Sequence, residues 1–245
     1  VTGGSRREIR AVFFDLDDTL FAHRESVVQG ITSWRQALGG AVAEADAASE
    51  AARWNALEEQ HYHRFLAGEL DFLGQRRARA RGFMEPFGGE LSDVEAEKWF
   101  EDYLEHYEST WRLHDDVAAC LDAVAPRPVG LITNGEFRFQ AEKVTRTGLD
   151  RRIPLADMVA SGDVGVAKPD PAIFAAAAAH VGLPASVICY VGDRLRTDAI
   201  GAAHAGLLGV WIDRPGTATP EQRAEAAAAG VPVIRTLDEL PALLG

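Results

Sequence analysis

Short runs of continuous apolar residues, each stopping on a polar residue or a glycine, recur along this chain of 245 residues. The first is Val12-Phe13-Phe14, which runs straight into Asp15-Leu16-Asp17-Asp18-Thr19. Pro128-Val129-Gly130-Leu131-Ile132 leads into Thr133-Asn134-Gly135, and Val187-Ile188-Cys189-Tyr190-Val191 leads into Gly192-Asp193. Weaker runs follow at 208–212, before Asp213, and at 231–234. Continuous rather than alternating apolarity suits strands covered on both faces, which is the condition of a parallel sheet. Helical patterns lie between the runs, among them an alanine-rich stretch at 171–181 and another at 197–205. Strand alternating with helix predicts an α/β fold with an open, Rossmann-like parallel sheet. Ligands of such sheets sit at the carboxyl ends of the strands, and each polar cluster named above falls at such an end.

One segment breaks the alternation. From about residue 21 to residue 111 the sequence carries helical stripes and no convincing strand. Val27, Val28, Ile31, Trp34 and Leu38 form one stripe, stopped by Gly39-Gly40. Trp54, Leu57, His61 and Phe65 form a second, and Trp99, Phe100, Tyr103, Leu104 and Tyr107 a third. These aromatics are what any packed helix needs in order to bury one face. The expected organisation is therefore a discontinuous α/β core, 1–20 and 112–245, with a separate helical domain at 21–111.

Composition sets outer limits. Lys and Arg number 25 against 37 Asp and Glu, a formal charge of −12. That excess argues against nucleic acid and against an anionic membrane surface as partners, since both are polyanions. It leaves room for a small anion where a bound cation inverts the local field. Two distant cysteines, Cys120 and Cys189, form neither a disulfide framework nor a metal-type spacing. The apolar runs are too short to span a bilayer, and the first ten residues, with Arg6, Arg7 and Arg10, lack the apolar run of a signal peptide. A reducing cytoplasm is the expected location.

Chemistry concentrates at the strand ends. Two carboxylates in Asp15-x-Asp17 at the end of a buried strand repel one another and resist desolvation unless something compensates them. A hard divalent cation such as Mg²⁺ is one compensation; capping roles in an exposed loop are the other. Thr133-Asn134-Gly135 offers a hydroxyl, an amide and main-chain N–H groups to an anion, and is equally an ordinary Asn-Gly turn. Lys168, before Pro169, is a candidate anion contact or a solvated loop lysine. Asp193 and Asp198 add carboxylates, although Asp198 alone is also explained as first-turn helix charge.

Together, the order and spacing of Asp15-x-Asp17-x-Thr19, Thr133, Lys168 and the Gly192-Asp193-to-Asp198 segment resemble the haloacid dehalogenase-like hydrolase superfamily. Thr147-Gly148-Leu149, Lys168-Pro169-Asp170-Pro171 and Gly201-Ala202 extend the likeness. The resemblance implies that Asp15 is a nucleophile toward phosphorus and that Asp17 is a general acid and base. It implies that Thr133 and Lys168 hold the phosphoryl oxygens, with Leu16 and Asn134 also lining the phosphate site. It implies a Mg²⁺ ion on Asp15, Asp17 (through its carbonyl) and Asp193, with Asp198 behind them orienting Lys168 or metal-bound water. The helical segment matches the position of the cap that one subgroup inserts after the first motif. The expected activity is Mg²⁺-dependent hydrolysis of a small phosphorylated metabolite, such as a nucleotide or sugar phosphate, by a phosphatase. Asp17 favours phosphoryl chemistry over dehalogenation, because haloacid-cleaving members typically lack the second carboxylate. A sugar phosphomutase, a 2-haloacid dehalogenase and a non-catalytic metabolite-binding relative stay as alternatives. The specific substrate and the choice between monomer and homodimer are not legible in the sequence.

Overall fold

The computed structural model describes residues 8–245. Residues 1–7, which the sequence reading assigned to the core and which include Arg6 and Arg7, lie outside the described residues. Two compact units emerge: residues 8–22 with 112–245, and residues 23–111. Phe21 and Ala22 belong to the first unit. Phe21 forms an antiparallel bridge with Leu113, and Ala22 N–H donates to Arg112 O at 3.0 Å.

The first unit holds one six-stranded sheet, all parallel, in the order β3-β2-β1-β4-β5-β6. The strands are β1 (Ala11–Phe14), β2 (Val129–Thr133), β3 (Met158–Ala160), β4 (Ile188–Gly192), β5 (Leu208–Ile212) and β6 (Val233–Ile234). Every residue of β1 and of β4 is buried, which accounts for their unbroken apolar runs. β1 is central. Successive connections run from it toward β3 on one side, then cross back to β4 on the other, so the strand order reverses at the β1–β4 pair. A doubly wound sheet opens its ligand crevice at such a reversal. In register, Phe14 pairs with Leu131 on one side and Val191 on the other. The residues one step further on, Asp15, Ile132 and Gly192, therefore emerge side by side.

Helices cover the sheet. Phe13, Ile173, Phe174, Ile188 and Tyr190 share one apolar cluster, while Leu195, Ile200, Trp211 and Ala226 share another. The expected helix at 197–205 is a π-helical turn, Leu195–Ile200, continued by Gly201–His204. β3 and the Phe137–Arg146 helix are elements for which the sequence showed no clear run. Cys120 and Cys189 are buried, free thiols, and burial pushes both above the ordinary thiol range.

The second unit is helical. Its long helices are His23–Leu38, Ala47–Leu66, Phe72–Met84 and Asp93–Glu108. Ser92 and Glu95 close a capping box at the start of the last of these, and Asp46 and Asp71 cap the second and third. Trp54 is fully buried at the centre, with the rings of Phe83, Trp99, Phe100 and Tyr103 at 4.7–6.0 Å between centroids. Among the described residues, no helix is long and apolar enough to cross a membrane.

Candidate active site

The carboxyl ends of β1, β2 and β4 bring the predicted residues to one place. Asp15 follows β1 directly, and its N–H donates to Val191 O at 2.8 Å, so the chain is held as strand up to the carboxylate. It then turns sharply. Leu16 O accepts from Leu20 N–H and Phe21 N–H, and Asp18 adopts a left-handed φ of 62°. A non-glycine residue in that region stores backbone strain, which persists where surrounding structure enforces it. Leu16, expected at the phosphate, buries its side chain fully in the core, and its carbonyl closes this turn.

Asp15 is 6% exposed and belongs to a network centred on Lys168. The ammonium of Lys168 donates to Asp15 Oδ1 at 2.6 Å, Asp198 Oδ1 at 2.8 Å and the Tyr190 hydroxyl oxygen at 2.8 Å. An ammonium has three donors, and all three are engaged. Lys168 was expected to hold phosphoryl oxygens; here it sits at the nucleophile oxygen itself, where its charge acts on whatever Asp15 bonds to. Asn134 was also expected at the phosphate. Its amide instead clamps the Lys168 backbone, donating to Lys168 O at 2.9 Å and accepting from Lys168 N–H at 2.7 Å. Its side chain thus shapes the site by fixing Lys168. Asp198 Oδ2 accepts from Arg194 N–H at 2.9 Å, and its side chain lies across Gly192, where a Cβ would come within 2.4 Å of Asp198 Cβ. Glycine is required there by close approach alone.

Burial pushes Asp15 up to about 7; Lys168 opposes that rise, and Asp198 and Asp17 add to it. Burial acts to lower Lys168, but Asp15 and Asp198 outweigh it and hold the ammonium charged. Carboxylate oxygens of Asp15, Asp193 and Asp198 lie within 4.8 Å of one another. Three carboxylates against Lys168 leave two negative charges, and this hard-oxygen donor set fits a divalent cation such as Mg²⁺. Both oxygens of Asp198 are taken, Oδ1 by Lys168 and Oδ2 by Arg194 N–H, whereas Lys168 meets only Oδ1 of Asp15; Asp15 and Asp193 are the side chains that could hold the ion. The Asp17 carboxylate is not in this group.

Asp17 points elsewhere. Its Oδ1 accepts from Lys143 Nζ at 2.6 Å and its Oδ2 from Gln140 Nε2 at 2.9 Å. Gln140 Nε2 also donates to Thr133 Oγ1 at 2.7 Å. Thr133, at the end of β2, is 2% exposed, and its hydroxyl accepts one hydrogen bond while keeping its own proton to give. Gln140, Lys143 and Tyr190 are the site residues that the sequence motifs did not single out. The sequence carried no signal for the two on the helix: Gln140, Lys143 and Val144 are its buried residues, and only the structure shows that face to be covered.

The haloacid dehalogenase-like hydrolase family matches residues 9–206. The chain belongs to that family. This hydrolase is 38% identical over 86 residues to a phosphoserine phosphatase of Thermus thermophilus, a match covering 35% of the chain and about a third (34%) of the relative's length. It is 28% identical over 211 residues to a glyceraldehyde 3-phosphate phosphatase of Methanopyrus kandleri, covering 84% of each. Among solved structures, YfnB of Bacillus subtilis, a hydrolase crystallised with magnesium, superposes with a TM-score of 0.73 at 20% identity over 97% of this hydrolase and 99% of that chain. L-2-haloacid dehalogenase from Xanthobacter autotrophicus superposes at 0.66 and 22% identity over 96% and 98%. At those identities the likeness bears on the fold alone.

Proposed function

We propose that this hydrolase is a phosphatase that cleaves a small phosphate monoester through a phosphorylated Asp15. The observation that carries the reading is the division of labour within one loop: Asp15 is buried against Lys168, while Asp17, two residues on, stands outside the acidic cluster with its own donors. A nucleophile and a proton carrier need those two different surroundings. The names of the relatives described above, both phosphatases, support it.

In this scheme an Asp15 oxygen attacks phosphorus, the bond from phosphorus to the ester oxygen breaks, and Asp17 gives its proton to the departing alkoxide. Asp17 then takes a proton from the water that attacks the acyl-phosphate, whose bond from phosphorus to the Asp15 oxygen breaks. Lys168 and the Thr133 hydroxyl stabilise charge on the transferring group. Asp15 and Asp193 would hold Mg²⁺, which when bound neutralises charge and polarises the phosphoryl oxygens. Residues 23–111 are assigned the role of a cap that selects the leaving group. The proposed setting is the cytoplasm, consistent with two reduced, buried thiols.

A panel of phosphate monoesters assayed with Mg²⁺ for inorganic phosphate tests this directly. Release from at least one ester without a bisphosphate requirement is the expected result. A strict bisphosphate requirement points to a mutase, and halide release from a 2-haloacid without phosphatase activity points to a dehalogenase; either overturns the reading.

A further inference from the structure

The helix that follows Thr133 places two buried polar side chains against Asp17. Gln140 and Lys143 are 3% and 2% exposed and three residues apart, hence on one face. Between them they supply a separate donor to each oxygen of the Asp17 carboxylate. Rotation of that carboxylate therefore breaks both bonds. The orientation of the Gln140 amide follows from its partner, because a carboxylate oxygen accepts and does not donate, so the nitrogen must face it. Lys143 is steadied in turn by the Phe21 and Phe139 rings, with the ammonium 5.1 and 5.2 Å from their centroids. Gly135 makes room for the arrangement: a Cβ there would lie 2.7 Å from Gln140 Cγ and Nε2.

Resting on the phosphatase reading, we infer that Gln140 and Lys143 are positioning residues that hold the Asp17 carboxylate in one orientation for proton transfer. Neither side chain takes or gives the transferred proton. Asp17 must meet the ester oxygen and then a water at hydrogen-bond distance, and a carboxylate free to rotate loses part of that alignment. Gln140 carries a second task through the same nitrogen. By donating to Thr133 Oγ1 it directs the Thr133 proton toward another acceptor, which sets the hydroxyl as a donor for a phosphoryl oxygen. One amide thus aligns the proton carrier and a phosphate contact that lie 116 positions apart in the chain (17 and 133).

The test compares two leaving groups on the full chain with Mg²⁺: the fastest alkyl monoester of the panel and p-nitrophenyl phosphate. An alkoxide needs a proton to depart, whereas nitrophenolate leaves as a stable anion. Lys143→Met should lower kcat on the alkyl ester by about 10- to 100-fold, with KM within about threefold. On the aryl ester the nitrophenolate burst should keep its rate within about threefold, and a slow second phase should follow as phosphorylated Asp15 accumulates. Lys143→Arg should recover part of the alkyl activity. Adding Lys143→Met to Asp17→Asn should cost nothing further, because the pair acts through one group. Should Lys143→Met fail to fold, Lys143→Gln, which removes the ion pair and leaves the Gln140 bond to Thr133 in place, carries the same leaving-group comparison. An equal loss in the aryl burst rate and the alkyl kcat, or an unchanged kcat on the alkyl ester, overturns the inference while the parent enzyme stays active. A parent that releases phosphate from neither ester overturns the phosphatase reading, and this inference with it.

Discussion

Two buried lysines hold two carboxylates of the same loop, and their surroundings differ. Around Asp15, Lys168 and Asp198, the side chains are 9%, 3% and 2% exposed, and one ammonium is shared by two carboxylates and a tyrosine hydroxyl. Around Asp17, the carboxylate side chain is 31% exposed, and Lys143 serves it without a second acid in the pair. The first region is a closed charge network in which removal of Lys168 leaves two buried carboxylates without their shared cation, whereas removal of Asp15 leaves Lys168 paired with Asp198. The second is a half-open clamp, where the carboxylate keeps access to solvent. The difference teaches how one short loop serves two chemical roles: two residues apart, Asp15 and Asp17 meet different lysines and differ in their access to solvent.

The comparison can be broken most sharply at the nucleophile. Asp15→Asn should lower kcat by at least about 10³-fold, since no other group replaces a covalent nucleophile. It should leave Tm unchanged or raised, because a buried carboxylate beside two others is removed; rate measurements and a melting curve check both halves. Chelating Mg²⁺ should stop turnover, and readdition should restore it; activity in EDTA would remove the cation from the account of Asp15 and Asp193. Lys168→Met should destabilise by about 3–5 kcal/mol, the scale for leaving buried charge unpaired. Lys143→Met should destabilise less, since Asp17 retains solvent; denaturant titrations of the two variants measure the contrast. Asp17→Asn should lower kcat on alkyl esters by about 10²- to 10⁴-fold with little change in Tm.

The smallest expected effect lies outside the site. Asp116 accepts from Arg214 at 2.9 and 3.0 Å and from Leu237 N–H at 2.9 Å. Burial acts to raise its pKa, but the Arg214 and Leu237 hydrogen bonds outweigh that and hold it below the ordinary carboxylate value. A carboxyl with a depressed folded pKa contributes stability above its unfolded pKa and loses it as pH falls through the folded value. Asp116→Asn should therefore be destabilising at pH 7, and the deficit should shrink below about pH 4. A deficit independent of pH would assign the effect to packing alone.

Much of this molecule is legible in its sequence. Central strands β1 and β4 were visible because strands buried on both faces need uninterrupted apolar residues, and the helical unit because its stripes recur at helical spacing. β3 escaped because three residues, Met158-Val159-Ala160, carry no period. Asp15, Thr133, Lys168, Asp193 and Asp198 were identified as candidates by residue type at strand ends. Gln140 and Lys143 were not, because a glutamine and a lysine in a helix are ordinary until the face they occupy is known to be buried. Tyr190 hid inside an apolar run, although a buried tyrosine hydroxyl generally needs a partner.

The sequence by itself determined which segments become central strands and where along the chain the carboxylates, the hydroxyl and the lysine fall. Those are local consequences of apolar period and of residue chemistry. Only the tertiary structure decided which lysine meets which carboxylate. Lys168 reaches Asp15 across 153 positions and Lys143 reaches Asp17 across 126. Such pairings follow from strand order and register, which bring distant strand ends to one edge of the sheet. They also follow from the burial that makes an unpaired charge there too costly to keep.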